Sequence, residues 1–119
     1  MDRQDLGRFG EERAVLWLRW RGYRILERNY RCRQGEIDII AGRGKYLCFV
    51  EVKLRKDKSH GEAREFVTPA KQKRILAAAQ MWLTEHETDR QPRFDVMEIY
   101  APKGAEGPVT VELIEDAFM

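Results

Sequence analysis

Glu51 and Lys53 end an apolar run that gives no structural reason for charge. The run Tyr46-Leu47-Cys48-Phe49-Val50 reads as a covered strand, since both of its faces are apolar. Side chains alternate along a strand, so Leu47, Phe49, Glu51 and Lys53 share one face. An acid that continues a buried face is costly unless it is paired or bound to a metal. Upstream, Glu36, Asp38 and Ile40 share a face opposite Ile37 and Ile39, and Gly42-Arg43-Gly44-Lys45 is a turn signal. With Gly42 facing Lys45, Glu36 lies opposite Glu51, and Asp38 lies diagonal to Glu51 at about 7–8 Å between backbones. Glu36, Asp38, Glu51 and Lys53 then converge on one patch. This holds only for that turn register, because a one-residue slip sends a strand's side chains to the other face.

Carboxylates this close repel and raise one another's pKa unless something positive sits among them. Lys53 supplies one positive charge. A hard divalent cation supplies more, and an oxygen-only ligand set suits Mg²⁺ or Mn²⁺ far better than zinc. Such an ion polarises a phosphate oxygen and acidifies bound water, which a neighbouring lysine can orient. That is the chemistry of phosphodiester hydrolysis. The bland alternative is a surface Glu51–Lys53 pair at a strand end, with Glu36 and Asp38 solvated.

The elements that must hold these groups can be read in order. A helix runs from about Leu6 to Arg21 and stops at Gly22. Its apolar stripe of Leu6, Phe9, Ala14, Val15, Leu16, Trp17, Leu18 and Trp20 is broad enough to predict that most of it is covered. Strands follow over Tyr23–Tyr30, Glu36–Ala41 and Tyr46–Leu54, the last two as a hairpin. A polar loop spans Arg55–Val67. Thr68 then caps, and Pro69 opens, a second helix to about His86, with Ile75, Leu76, Ala79, Trp82 and Leu83 as its apolar stripe. Strands over Phe94–Tyr100 and Val109–Ile114 flank a turn at Gly104–Pro108. The order αβββαββ predicts a single α/β domain, residues 1–119, with a central mixed sheet flanked by helices.

Composition narrows the function classes. The chain is one domain in size, with 43% hydrophobic residues, which suits a packed core and excludes a disordered chain. A net charge of +2 is too small to mark a nucleic-acid binder, so the position of the cations must carry that argument. Two cysteines are too few for a secreted disulfide framework. Cys48 reads as a buried hydrophobe and Cys32 as a partly exposed thiol. No Cys/His spacing fits zinc. Residues Met1–Asp5 lack a signal-peptide pattern, and no apolar run approaches a membrane span. A cytoplasmic protein with no membrane association is the expectation.

An ordered set of motifs resembles the YraN family. It comprises Gly10-Glu11-Glu12-Arg13-Ala14, Gly22-Tyr23-Arg24-Ile25-Leu26, Asn29-Tyr30-Arg31, Gly35-Glu36-Ile37-Asp38-Ile39-Ile40, Phe49-Val50-Glu51-Val52-Lys53, Arg93-Phe94-Asp95-Val96 and Asp116-Ala117-Phe118. That family consists of small bacterial proteins assigned as endonucleases, similar in fold to archaeal Holliday-junction resolvases. The resemblance implies a restriction-endonuclease-like core and Asp38, Glu51 and Lys53 as a PD-(D/E)xK motif. Ile37 stands where that motif has proline. It also implies an acid from the first helix at Glu11, with Glu12, about 100° round the helix, as the alternative.

Cations beside the patch would hold the nucleic-acid backbone. Arg55, Lys56 and Lys58 leave the third strand, and Lys71, Lys73 and Arg74 occupy the first turns of the second helix. His60 and His86 read as surface residues, Trp17, Trp20 and Trp82 as core, and Asp95 as a local hydrogen-bonding group. The leading expectation is a Mg²⁺- or Mn²⁺-dependent endonuclease acting on DNA, with branched or junction DNA as the substrate class the resemblance suggests. Asp38, Glu51 and Glu11 would bind the metal, Lys53 would orient water, and Glu36 would be a supporting or additional ligand. A homodimer is left open. The rival readings are a nucleic-acid-binding module with little or no hydrolysis and an interaction protein whose charged patch is only a solvated edge.

Overall fold

Strand alternation sorts the core into two layers. The computed structural model describes residues 3–56 and 67–118. Its elements are α1 (Arg3–Trp20), β1 (Arg24–Cys32), β2 (Gly35–Arg43), β3 (Tyr46–Arg55), α2 (Pro69–Glu85), β4 (Gln91–Tyr100) and β5 (Thr110–Ile114), with a short 3₁₀ turn at Gly104–Glu106. They form a single compact α/β domain whose one sheet has the order β1-β2-β3-β4-β5. β3 and β4 run parallel, joined through α2, while the other neighbours are antiparallel.

On one face, Ile40, Leu47, Phe49, Phe94 and Val96 pack against Ile75, Ala78, Ala79 and Trp82 of α2. On the other, Ile39, Ala41, Cys48, Val50, Met97 and Ile99 pack against Ala14, Val15 and Leu18 of α1. Each large apolar side chain fully buried this way contributes about 1.5–3 kcal/mol. β3 is covered on both sides, as its unbroken apolar run requires.

Both helix starts and stops have local causes. Thr68 caps α2 by accepting a hydrogen bond from the Lys71 N–H at 3.2 Å, with Pro69 at the first helical position. α1 ends before Gly22, whose φ of +86° is the left-handed conformation glycine adopts freely. The expected cover over α1 is incomplete. Leu16 is 58% exposed and Trp20 is 92% exposed, because the sheet reaches only the stripe of Ala14, Val15 and Leu18. Trp82 is core, as expected of it, whereas Trp20 is not.

β4 starts earlier than expected, at Gln91, and includes Pro92. A residue without an N–H is tolerated there because β5 pairs with β4 only from Val96 onward. The loop expected over 55–67 lies mostly outside the described residues. At its margins Arg55 still belongs to β3, and Val67 is buried in the α2-side core. Among the described residues, no helix is long and apolar enough to cross a membrane.

Candidate active site

The β2–β3 turn departs from its expected register. Arg43 pairs with Tyr46 and Gly42 with Leu47, leaving Gly44-Lys45 as the two-residue turn. Two glycines account for this. Gly44 takes the turn with φ +56°, whereas Gly42 is a strand residue, and a Cβ there would lie 2.7 Å from the Arg90 guanidinium. The change is an even number of residues, so Asp38 and Glu51 still face one another, although Ile37, expected opposite Ile40, packs on the same side as Ile40. Extending the ladder brings Asp38 directly opposite Glu51 rather than diagonal to it. Glu36 no longer faces Glu51.

Regular β2–β3 pairing ends at Ile39 and Val50. Beyond it the Asp38 carboxylate itself accepts the Val52 N–H, at 2.8 Å. Alternation slips at this level of β2: Ile40 and Ile37 both pack on the α2 side, although they are three residues apart. The neighbouring rung of β1 is irregular too. Asn29 has φ +51° between the pairs Arg28–Ile39 and Tyr30–Ile37. Its amide donates to Glu11 of α1 at 2.7 Å. These paired distortions let a group from α1 approach a carboxylate of β2.

Five titratable groups meet there. The Asp38 carboxyl is pushed up to about 8 by burial first, then by its hydrogen bond with the Glu51 carboxyl and the Glu51 charge, with Glu11 adding to the effect and the Val52 N–H opposing it. The Glu51 side chain is 10% exposed and lies 3.3 Å from the Lys71 ammonium of α2. Lys53 follows Glu51 on the same face. Burial, together with its hydrogen bond to Lys71, holds the Lys53 pKa below the usual lysine range. Partial burial opposes the charge on Lys71 as well, but the contacts with Lys53 and Glu51 outweigh it and hold that group above the range. Glu11 completes the group and is the helix acid that faces inward. Its side chain is 15% exposed and that of Glu12 is 54% exposed; Arg28 pairs with both, at 3.3 Å from Glu11 and 2.6 Å from Glu12.

Other expected site residues are elsewhere. Glu36 points outward, 64% exposed, and pairs with Arg31 at 3.2 Å. Arg55, expected among the phosphate-facing cations, is turned inward against Glu98 at 2.9 Å, with both side chains 10% exposed or less. Lys56, Lys73 and Arg74 are exposed. Lys58 and His60 lie outside the described residues. His86 stacks on Trp82 with ring centres 4.0 Å apart at the end of α2, a packing role. Asp95 is bound by Arg93 of its own strand, as expected of a local hydrogen-bonding group.

Two residues of the neighbourhood have contacts the sequence reading did not assign: Lys71, expected only as a cation toward the nucleic-acid backbone, and Glu98, not singled out. Lys71 shares a helical stripe with Ile75, Ala78 and Trp82, a spacing that aims it at the sheet. Glu98 continues the buried face of Phe94 and Val96 as Glu51 continues that of Leu47 and Phe49, and it is the parallel partner of Lys53. The second signal was present in the alternation, but the parallel register was not.

The carboxylates lie near two open clefts. One, of about 550 Å³, is lined by Arg31, Glu36, Thr68, Lys71 and Arg74, among others. The other, of about 650 Å³, is lined by Arg8, Glu11, Glu12, Arg28, Asn29 and Arg31. Lys71 links the first to the carboxylates, Glu11 links the second, and Arg31 borders both. Among the described residues, no three His, Cys, Asp or Glu side chains are grouped closely enough to hold a metal by themselves.

Comparison with known proteins places the chain in a family. The model for the uncharacterised protein family UPF0102 matches residues 10–99, which include Glu11, Asp38, Glu51, Lys53 and Lys71. A UPF0102 protein of Prosthecochloris aestuarii (strain DSM 271 / SK 413) is 49% identical over 118 residues, covering 96% of this chain and 93% of that protein. One from Chlorobium phaeobacteroides (strain BS1) is 48% identical over 119 residues, covering 97% and 94%. One from Pelobacter propionicus is 47% identical over 120 residues, covering 98% and 84%. With the family model and these relatives spanning most of its length, the chain belongs to the UPF0102 family.

Proposed function

We propose that the protein is a divalent-metal-dependent endonuclease that hydrolyses phosphodiester bonds in DNA, on the PD-(D/E)xK plan that its resemblance to the YraN family implies. The observation that carries this reading is the meeting of Asp38 and Glu51 beside Lys53, with Glu11 behind them. Three different elements supply these groups, which a solvated strand edge would not need.

The donor chemistry fits Mg²⁺ or Mn²⁺. Asp38 and Glu51 are hard oxygen donors, and Mg²⁺ commonly takes one or two carboxylates and completes its shell with water and substrate phosphate. The ion would supply Lewis acidity toward a phosphate oxygen and a more acidic water. The chain's own residues would do the rest. Asp38 and Glu51 hold the cation, Glu11 adds negative charge from α1, and Lys53 orients the water. Lys71, Arg74 and Arg31 offer backbone phosphates a cationic bed, because phosphate contacts set position along a nucleic acid. Branched or junction DNA is the substrate to test first, and a homodimer would present two such centres to it.

The test is cleavage of branched and linear DNA in millimolar Mn²⁺, with and without chelator, beside Glu51→Gln. Cleavage should appear with the metal and vanish with chelation. The variant should lose at least about 100-fold, the scale of removing one charge-stabilising group from a reaction centre. Salt-sensitive binding with no cleavage in either protein would leave a nucleic-acid-binding module as the better description.

A further inference from the structure

We infer that Lys71 is a built-in latch on the carboxylate pair: its ammonium holds Glu51 when no divalent cation is there, and cation binding releases it toward the cleft to grip a phosphate. The inference rests on the reading of Asp38 and Glu51 as metal ligands. Its own ground is the position of Lys71.

Thr68 fixes the first turn of α2 through the Lys71 N–H, so the side chain leaves the helix at a set point. From there the Lys71 Nζ lies 3.3 Å from Glu51 Oε2. It also lies beside Lys53, a crowding of two cationic groups that the nearby carboxylates must offset. A cation entering between Asp38 and Glu51 would compete with Lys71 for the same Glu51 oxygen. It would also remove the negative charge that keeps Lys71 beside Lys53.

Lys71 has somewhere to go. Its side chain is 40% exposed, against 10% for Glu51, and it lines the cleft shared with Arg31, Thr68 and Arg74. Turned into that cleft, it joins the Arg31 and Arg74 guanidinium groups. Metal and DNA then favour each other through one side chain, and the coupling is reciprocal because both draw Lys71 from the same contact.

Lys71→Met removes the ammonium while keeping the apolar stem, and Lys71→Gln is a second variant should the first fold poorly. Mn²⁺ binding is measured by titration calorimetry on the full chain without DNA, and affinity for a short DNA duplex is measured in Ca²⁺ across a salt series. The variants should bind Mn²⁺ about 10-fold more tightly than the wild type, within the usual range of such couplings. They should bind DNA more weakly, with a salt slope shallower by about one. A wild type that binds Mn²⁺ beside variants that bind it equally or less well would overturn the latch and leave the metal site standing. Tighter Mn²⁺ binding with an unchanged DNA slope would also overturn it, since Lys71 would then only block the site. Absence of Mn²⁺ binding in every protein would remove the site itself, and the latch with it.

Discussion

Asp38 on β2 and Asp95 on β4 flank the same central strand, and the fold treats them in opposite ways. Asp95 is fully buried, yet it receives Arg93 Nε at 3.0 Å, Arg93 Nη2 at 2.9 Å and the Asp116 N–H at 2.9 Å. Arg93 in turn donates to the Tyr23 hydroxyl at 3.0 Å. Its counter-charge comes from two residues away on the same strand, so the pair forms wherever β4 forms. Asp38 instead meets Glu51, with Glu11 adding negative charge, and receives the Val52 N–H. The cations near it, Lys53 and Lys71, crowd one another. A buried acid kept for stability is supplied with donors. One left among other acids points to something that arrives later.

The largest expected difference is in stability. Asp95→Asn should cost about 3–5 kcal/mol, because it removes the buried counter-charge of Arg93 and leaves only the longer contact with the exposed Glu115, at 3.7 Å. Asp38→Asn should be neutral or stabilising in the metal-free protein, because the amide stands in for the protonated carboxyl beside Glu51 and folding then needs no proton uptake at neutral pH. Denaturant midpoints for the two variants at neutral pH make the comparison. Equal losses would mean that both acids are structural.

The next effect is a pH dependence confined to one cluster. Folding raises the Asp38 carboxyl from 3.8 to about 8, so the folded state holds that proton more tightly than the unfolded chain does. The stability this confers is full below about pH 4 and is lost as pH rises through about 8. The metal-free melting temperature should therefore fall by several degrees, roughly, across that window. Asp38→Asn should flatten the fall and Asp95→Asn should not. A wild-type profile with no slope there would contradict the crowding of Asp38.

The smallest effect concerns the helix that brings Lys71. Thr68→Ala should cost about 1 kcal/mol through loss of the cap on α2, and Thr68→Ser should restore most of it. If the cap also positions Lys71, nuclear magnetic resonance of the lysine Nζ and arginine Nε groups should show Lys71 losing its distinct environment in Thr68→Ala while Arg93 is unchanged. Parallel changes in both clusters would mean only that the whole fold has loosened.

Much of this was legible from periodicity. Glu51 and Lys53 stood out because Leu47 and Phe49 had already declared their face buried, and the helix start at Thr68-Pro69 needed only local chemistry. The exact turn was harder, since Gly42 and Gly44 are both turn residues by type, and only the packing of Arg90 over Gly42 separates them. Because the difference was even, the facing of Asp38 and Glu51 survived it. Arg55 was misjudged because its partner Glu98 lies on a strand brought alongside by a parallel pairing, which local sequence does not encode. Trp20 failed for a related reason: its helix has an apolar stripe wider than the sheet it sits on.

The split origin of the cluster has a consequence for the order of assembly. Asp38 and Glu51 belong to a hairpin, closed by a short turn between neighbours in sequence, and such pairings form early. Lys71 arrives only with α2, whose docking accompanies the long-range pairing of β3 with β4. During folding the two acids therefore meet before Lys71 reaches them, and the hairpin carries its repulsion alone until the crossover closes. The step most exposed to pH is then the early one. In this chain the demands of the site act on the folding route as well as on the finished fold.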